Sequence, residues 1–144
     1  MKVLLDTSVL FPALEPKLPA HQTARTWLSR IIRQDIIGVV STHTLAEVYC
    51  NLTRFPQKPP VPPATAIRLI ELNILPSFEI VELTKDDYVQ ILKDIAQEGI
   101  IGGTTYDALI VYAGVKAQVD HIVTFNEKHF RRVSPAFAHK IIVP

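Results

Sequence analysis

The chain has a single cysteine, Cys50, so it cannot close an internal disulfide. A domain that dispenses with disulfides suits a reducing compartment, and the expected location is the cytoplasm. No apolar run approaches the roughly 18 residues of a membrane helix. The stretch after Met1-Lys2 meets Asp6 at once, too early for a signal or transit peptide. Charge of one sign is also lacking: fifteen basic residues against fourteen acidic ones leave a formal +1. A polyanion must therefore be gripped by local basic patches, because the global field is too weak. Glycine is scarce, and GIIGG (Gly99–Gly103) has neither the Lys-Ser/Thr of a P-loop nor dinucleotide spacing. It reads as a helix stop and turn. No Cys/His spacing suits zinc, and the five histidines are scattered. Ser8 and Ser41 lack a histidine at a recognisable spacing, which argues against a covalent serine nucleophile. There is no internal repeat.

What remains is core. Of 144 residues, 48% are hydrophobic, enough for one domain over residues 1–144. Short β-rich runs, Lys2–Asp6, Ile36–Ser41, Phe78–Leu83, His121–Phe125 and Lys140–Val143, alternate with helical patterns. The helical stretches are Ala20–Arg33, Thr44–Arg54, Pro63–Leu75, Asp86–Glu98 and Thr105–Gln118. The first, second and fourth strands are continuous apolar runs, as strands covered on both faces are. The alternation predicts an α/β domain with right-handed crossovers and a mainly parallel five-stranded sheet between helical layers. PQKPPVPP (residues 56–63) carries five prolines and reads as a stiff surface loop whose last residues open the next helix.

Three carboxylates occupy comparable places. VLLDTSVL ends its apolar run on Asp6, which either caps a helix or stands at the carboxyl end of a buried parallel strand, where open α/β sheets bind ligands. Glu47 opens the helix after the second strand, and Asp107 opens another after Gly102-Gly103. Thr44-x-x-Glu47 and Thr104-x-x-Asp107 both fit a capping box that needs no chemistry. Against that, Asp107 shares its side with Ile110, Val111 and Gly114, an apolar stripe on which a carboxylate is costly unless paired. Glu47 lies among Cys50, Asn51 and Arg54 and is free to pair with a base. Gathered at one sheet edge, the three would repel one another unless a hard divalent cation intervened. Thr124 and Asn126, closing the next strand, are directed at the same crevice. Magnesium or manganese is the expected ion.

VLLDTSVL, STHTLAEVYCNLTRFP, TTYDALIVYAG and HIVTFNEKHF, in this order and spanning nearly the whole chain, resemble the PIN-domain ribonucleases, in particular VapC-like toxins of type II toxin–antitoxin systems. The resemblance implies a three-layer α/β/α sandwich and metal-dependent hydrolysis of RNA phosphodiesters, leaving a 5′-phosphate and a 3′-hydroxyl. It carries the family's acidic triad to Asp6, Glu47 and Asp107, as both catalytic residues and metal ligands. It carries polar supporting roles to Thr7, Thr124 and Asn126. Family members often place another carboxylate at or just after the fourth motif, where this chain has Asn126, Glu127 and His129. The resemblance further implies a small antitoxin partner and a homodimer, with the helices around Trp27 and Pro63–Leu75 as the expected interface.

Substrate grip is expected from Arg54, Lys128, His129 and Arg131, with Arg132 and Lys58 nearby, although each basic residue alone is equally at home on an ordinary solvated surface. Tyr106 and Phe125, beside proposed site residues, suit either stacking on a base or packing. Two other functions stay open: a non-catalytic PIN-like RNA-binding or interaction module, and a free-standing RNA-processing nuclease. An aspartyl-phosphate phosphatase is disfavoured, because Ser8 stands where a second aspartate would be needed.

Overall fold

The computed structural model describes residues 1–144. Its elements are β1 (Lys2–Leu5), α1 (Thr7–Leu14), α2 (His21–Ile32), β2 (Ile37–Ser41), α3 (Thr42–Arg54), α4 (Pro63–Asn73), β3 (Phe78–Val81), α5 (Lys85–Gln97), α6 (Thr104–Lys116), β4 (His121–Val123), α7 (Glu127–Val133), a 3-10 segment (Pro135–Lys140) and β5 (Ile141–Ile142). No helix is long and apolar enough to cross a membrane.

The five strands form one sheet in the order β3-β2-β1-β4-β5, with every neighbouring pair parallel. The sheet is thus wholly parallel, where the sequence led us to expect a mainly parallel one. β1 lies at its centre, between β2 and β4, because its three residues Val3, Leu4 and Leu5 are all apolar and fully buried. Strand periodicity sends them to opposite faces. Val3 and Leu5 pack with Leu10 of α1, Leu28 of α2, Leu52 of α3 and Ile70 of α4. Leu4 packs on the other face with Ile110 of α6 and Phe130 of α7. Helices therefore cover both sides, and a satellite cluster of Ile91, Ile95, Ala108 and Leu109 seats α5 on α6.

Gly38 in β2 is required by crowding. A Cβ there would lie 2.6 Å from Ile31 Cγ2 and 2.8 Å from Phe78 Cδ1, closer than real side-chain atoms approach. The absent side chain lets α2 and β3 close over the sheet edge.

Two short helices, α1 and α7, lie outside the helical stretches read from the sequence, although the capping reading of Asp6 implied the start of α1. α1 was obscured by Pro12 within the short run VLFPAL, yet Asp6 caps it and Val9, Leu10, Ala13 and Leu14 are buried. α7 has only seven residues, but Phe130 is fully buried and anchors it; removing that ring would cost about 3–5 kcal/mol. The proline-rich loop begins after α3, and Pro63 opens α4 with Pro62 as its cap. The loop is pinned by Glu15, a nearly buried carboxylate that accepts from Gln57 Nε2 at 2.8 Å and from the Lys17 amide at 3.0 Å.

Candidate active site

The carboxyl end of β1 is where the chain turns toward β2 on one side and meets β4 on the other, and crevices form at such a reversal of strand order. Asp6 sits at that point with 2% of its surface exposed. It both ends the strand and caps the following helix, so the two readings of VLLD hold at once. Its Oδ1 accepts from the Thr7 amide at 2.7 Å. Oδ2 accepts from Ser8 Oγ at 2.6 Å, Thr124 Oγ1 at 2.8 Å and the Ser8 amide at 3.3 Å. Burial pushes the Asp6 carboxyl above its ordinary pKa, and these hydrogen bonds only partly oppose that. Oδ1, with one protein donor, keeps a lone pair for a ligand.

Glu47 lies one turn into α3. The helix begins at Thr42 with Ser41 as its cap, the Ser41 hydroxyl accepting from the Thr44 amide at 3.2 Å. Thr44 is therefore not a cap, and Glu47 is not the far member of a capping box. Its Oε2 accepts from Thr7 Oγ1 at 2.6 Å, and its Oε1 lies 3.3 Å from His43 Nε2. That His43 contact is close but poorly directed, since Nε2 is buried without a well-formed hydrogen bond. Burial alone would raise the Glu47 carboxyl; the His43 and Thr7 contacts outweigh it, and the pKa falls below the usual value. The expected partner, Arg54, is exposed seven residues away at the far end of the helix.

Asp107 lies in the first turn of α6, whose cap is Gly103 with no side-chain bond. The Thr104–Asp107 capping box is absent as well. The capping box that does form joins Thr84 and Asp87 on α5, with amide bonds of 3.1 and 2.8 Å. Asp107 instead faces His129 Nδ1 at 3.4 Å. Burial, then the neighbouring charge on Asp6, push its pKa up from 3.8 to about 6; His129 opposes the rise and Glu47 adds to it. Asp107 thus feels the carboxylates of two other segments, Asp6 and Glu47.

Around them, Ser8 is a tie that inspection of the sequence missed. Its hydroxyl receives the Phe125 amide at 3.0 Å while serving Asp6, and Thr124 Oγ1 receives the Asn126 amide at 2.9 Å. His43 was missed too, although its i,i+4 spacing to Glu47 was visible. Asn126 caps α7 through its backbone and its side chain makes no capping bond. It lines an open crevice with Phe125, Glu127, Lys128 and His129. Arg131 is occupied, donating to Glu127 Oε1 and to the Ala138 carbonyl, both at 2.7 Å. Lys128 is exposed at the crevice, and Arg132 is exposed further along α7.

A hard divalent cation suits this donor set. The ligands on offer are carboxylate oxygens, two of them destabilised as anions by burial and repulsion, and their ion-pair partners are histidines, with no lysine or arginine among them. No three acidic, histidine or cysteine side chains are drawn into a finished ligand cage; Glu47 and Asp107 are held by other partners.

The family model of the PIN domain matches residues 3–135. Ribonuclease VapC27 of Mycobacterium tuberculosis is 30% identical over 116 residues, which cover 81% of this chain and 79% of that protein. Among solved structures, VapC20 of Mycobacterium tuberculosis, described as a sarcin-ricin loop cleaving toxin, is similar at a TM-score of 0.69 and 17% identity, covering 88% of this chain and 92% of that one. VapBC2 from Rickettsia felis, bound to a promoter DNA fragment, gives a TM-score of 0.63 and 19% identity over 100% and 98% of the two chains. FitAcB from Neisseria gonorrhoeae gives 0.63 and 22% over 98% and 95%. The structural likenesses speak for the fold, and the sequence matches extend across the motifs that hold Asp6, Glu47 and Asp107: the chain belongs to the PIN-domain family, on its VapC-like side.

Proposed function

We propose that this chain is a divalent-metal-dependent ribonuclease and the toxin of a toxin–antitoxin pair. One observation carries the reading: Asp6 is buried at the end of the central strand, and its charge raises the cost of ionising Asp107, brought beside it from a different segment, with no lysine or arginine paired to either. Such an arrangement costs stability unless a cation uses it. A pure RNA-binding module would gain nothing from anions facing phosphate.

Asp6, Asp107 and Glu47 would hold the ion, and magnesium or manganese fits oxygen ligands of this kind. When bound, it supplies positive charge to the phosphodiester and makes water a stronger nucleophile near neutral pH. The chain's own residues set the stage. Ser8 and Thr124 fix Asp6 by short hydrogen bonds, leaving Oδ1 available. Thr7 holds Glu47, so the α1 cap and the α3 carboxylate move as one. His129 steadies the Asp107 carboxylate against its raised pKa. Lys128, exposed beside Asn126, and Arg132, exposed in the last turn of α7, suit phosphate contacts along the strand. Water attacks phosphorus, the bond to the 3′ oxygen breaks, and the products carry a 5′-phosphate and a 3′-hydroxyl.

An antitoxin partner is supported by relatives described as VapBC2 and FitAB bound to DNA fragments. A homodimer through α4 is supported by its exposed Ile67 and Leu72; sedimentation of the purified chain and of its Leu72→Asp variant tests it, and a wild type that stays monomeric at high concentration removes it. For the activity, structured RNA is incubated with the purified chain and Mg²⁺ or Mn²⁺. Cleavage should stop on chelation and return with added Mn²⁺. Cleavage that survives exhaustive EDTA treatment, or a phosphomonoester hydrolysed in place of RNA, overturns the reading.

A further inference from the structure

Tyr106 directly precedes Asp107 and keeps 51% of its surface exposed, although the helix behind it is apolar and buried. Its ring lies flat against the His43 imidazole, with centroids 5.0 Å apart and planes within 6°. His43 in turn sits 3.3 Å from Glu47. The pair therefore bridges the first turns of α3 and α6, the two helices that carry Glu47 and Asp107. His43 covers one face of the tyrosine ring, and about half of the residue's surface is left open.

We propose that Tyr106, backed by His43, is a stacking platform for one unpaired nucleobase of the RNA beside the bond that is cut. The inference deepens the ribonuclease reading and rests on it. An acidic crevice in a chain of net charge +1 gives phosphate little general attraction. A lysine or arginine at position 106 would pair with Asp107 or Glu47 and compete with the cation those residues suit. An aromatic face grips RNA without that competition, because every base has a π surface and stacking needs no charge. The His43 contact fixes the ring before substrate arrives, so little rotamer freedom is left to lose on binding. A base can reach the platform only when it is out of a helical stack, which selects a loop, bulge or single-stranded segment over a duplex. The competing account is that the two rings merely tie α3 to α6.

The cut made by wild type in a structured RNA is mapped, and a short single-stranded oligoribonucleotide spanning it becomes the substrate. Versions with an abasic ribonucleotide on either side of the cut are compared in the presence of Mn²⁺. Tyr106→Leu should raise KM between about fivefold and 100-fold, with kcat within a few-fold of wild type, while Tyr106→Phe and Tyr106→Trp stay close to wild type. One abasic position should raise the wild-type KM by a similar factor and add nothing further in Tyr106→Leu. In Tyr106→Trp, added fluorescence above that of Trp27 should be quenched by the intact oligonucleotide and spared by that abasic version, a readout that survives if Tyr106→Leu does not fold. Abasic substitutions that act equally on wild type and Tyr106→Leu, or a Tyr106→Leu loss confined to kcat and melting temperature, overturn the platform and leave only the tie. A wild type that cuts no RNA removes the ribonuclease reading itself.

Discussion

Thr124 Oγ1 donates to Asp6 Oδ2 at 2.8 Å across 118 residues of chain, joining the ends of two adjacent parallel strands. The same hydroxyl oxygen receives the Asn126 amide. One buried threonine therefore sets the orientation of the central carboxylate and the path of the chain that carries Asn126 and His129.

Thr124→Val keeps the shape and removes both bonds. It should cost about 1–3 kcal/mol, because Asp6 and the Asn126 amide each lose a partner in a buried place. Denaturant melts of the metal-free protein measure this, and Thr124→Ser should recover most of it. Equal stability of the valine variant would show that Thr124 is a spectator.

Neutralising the carboxylates separates the site from ordinary capping. Asp107→Asn should abolish cleavage while the metal-free fold holds or gains stability, since Asp107 is in no capping box and is repelled by its neighbours. Glu47→Gln should abolish cleavage at a small cost in stability near neutral pH, because the His43 and Thr7 contacts favour the Glu47 carboxylate in the fold. Asp6→Asn should abolish cleavage and also destabilise by up to about 2 kcal/mol, because Asp6 caps α1. Melts in EDTA beside cleavage assays decide it; clear destabilisation by all three substitutions would favour capping.

The raised Asp107 pKa fixes a direction with pH. The folded chain holds this proton more tightly than the unfolded one, so the contribution to stability is present below 3.8 and is lost as pH rises through about 6. In metal-free protein the melting temperature of Asp107→Asn should therefore pull ahead of wild type as pH climbs through that window. At limiting Mn²⁺, cleavage should fall as pH drops toward about 6, where the metal-free Asp107 takes up a proton in competition with the ion, and excess Mn²⁺ should move that fall to lower pH. His129→Ala removes a contact that holds the pKa down and should shift that acid limb to higher pH. A limb that does not move uncouples the histidine from the site.

Asn126 stands where an additional carboxylate would add charge for a second ion. Asn126→Asp should lower the Mn²⁺ concentration needed for half-maximal cleavage. Glu127→Gln should leave that requirement unchanged, because Glu127 is committed to Arg131. A metal titration of both variants compares them; an unchanged requirement in Asn126→Asp together with a sharp rise in Glu127→Gln would assign the ligand to Glu127.

The order of strands and the central place of Asp6 were legible because continuous apolar runs report burial on both faces. Helix starts were less so. The motif Thr-x-x-Glu is satisfied at Thr44 by composition alone, but Ser41 wins the cap because its hydroxyl lies where the strand turns into the helix. α7 was hidden by its length, its presence depending on one ring, Phe130, finding the core. Asp6 and Asp107 stood out as charges breaking apolar patterns, and Glu47 by its place in the helix that follows a buried strand. Ser8 and His43 did not, since a serine near a cap and a histidine on a mixed helix face are common, and only tertiary packing brings them to Phe125 and Tyr106.

The bond from the Phe125 amide to Ser8 Oγ gives a loop the kinetics of a core. Loop amides ordinarily exchange with solvent through small local openings. Here the Phe125 amide is tied through the Ser8 hydroxyl to Asp6, which lies at the end of the central strand. The protons of Phe125 and Asn126 should then exchange with deuterium as slowly as those of β1. That strand-end loop should then open far less often than a loop without such a tie.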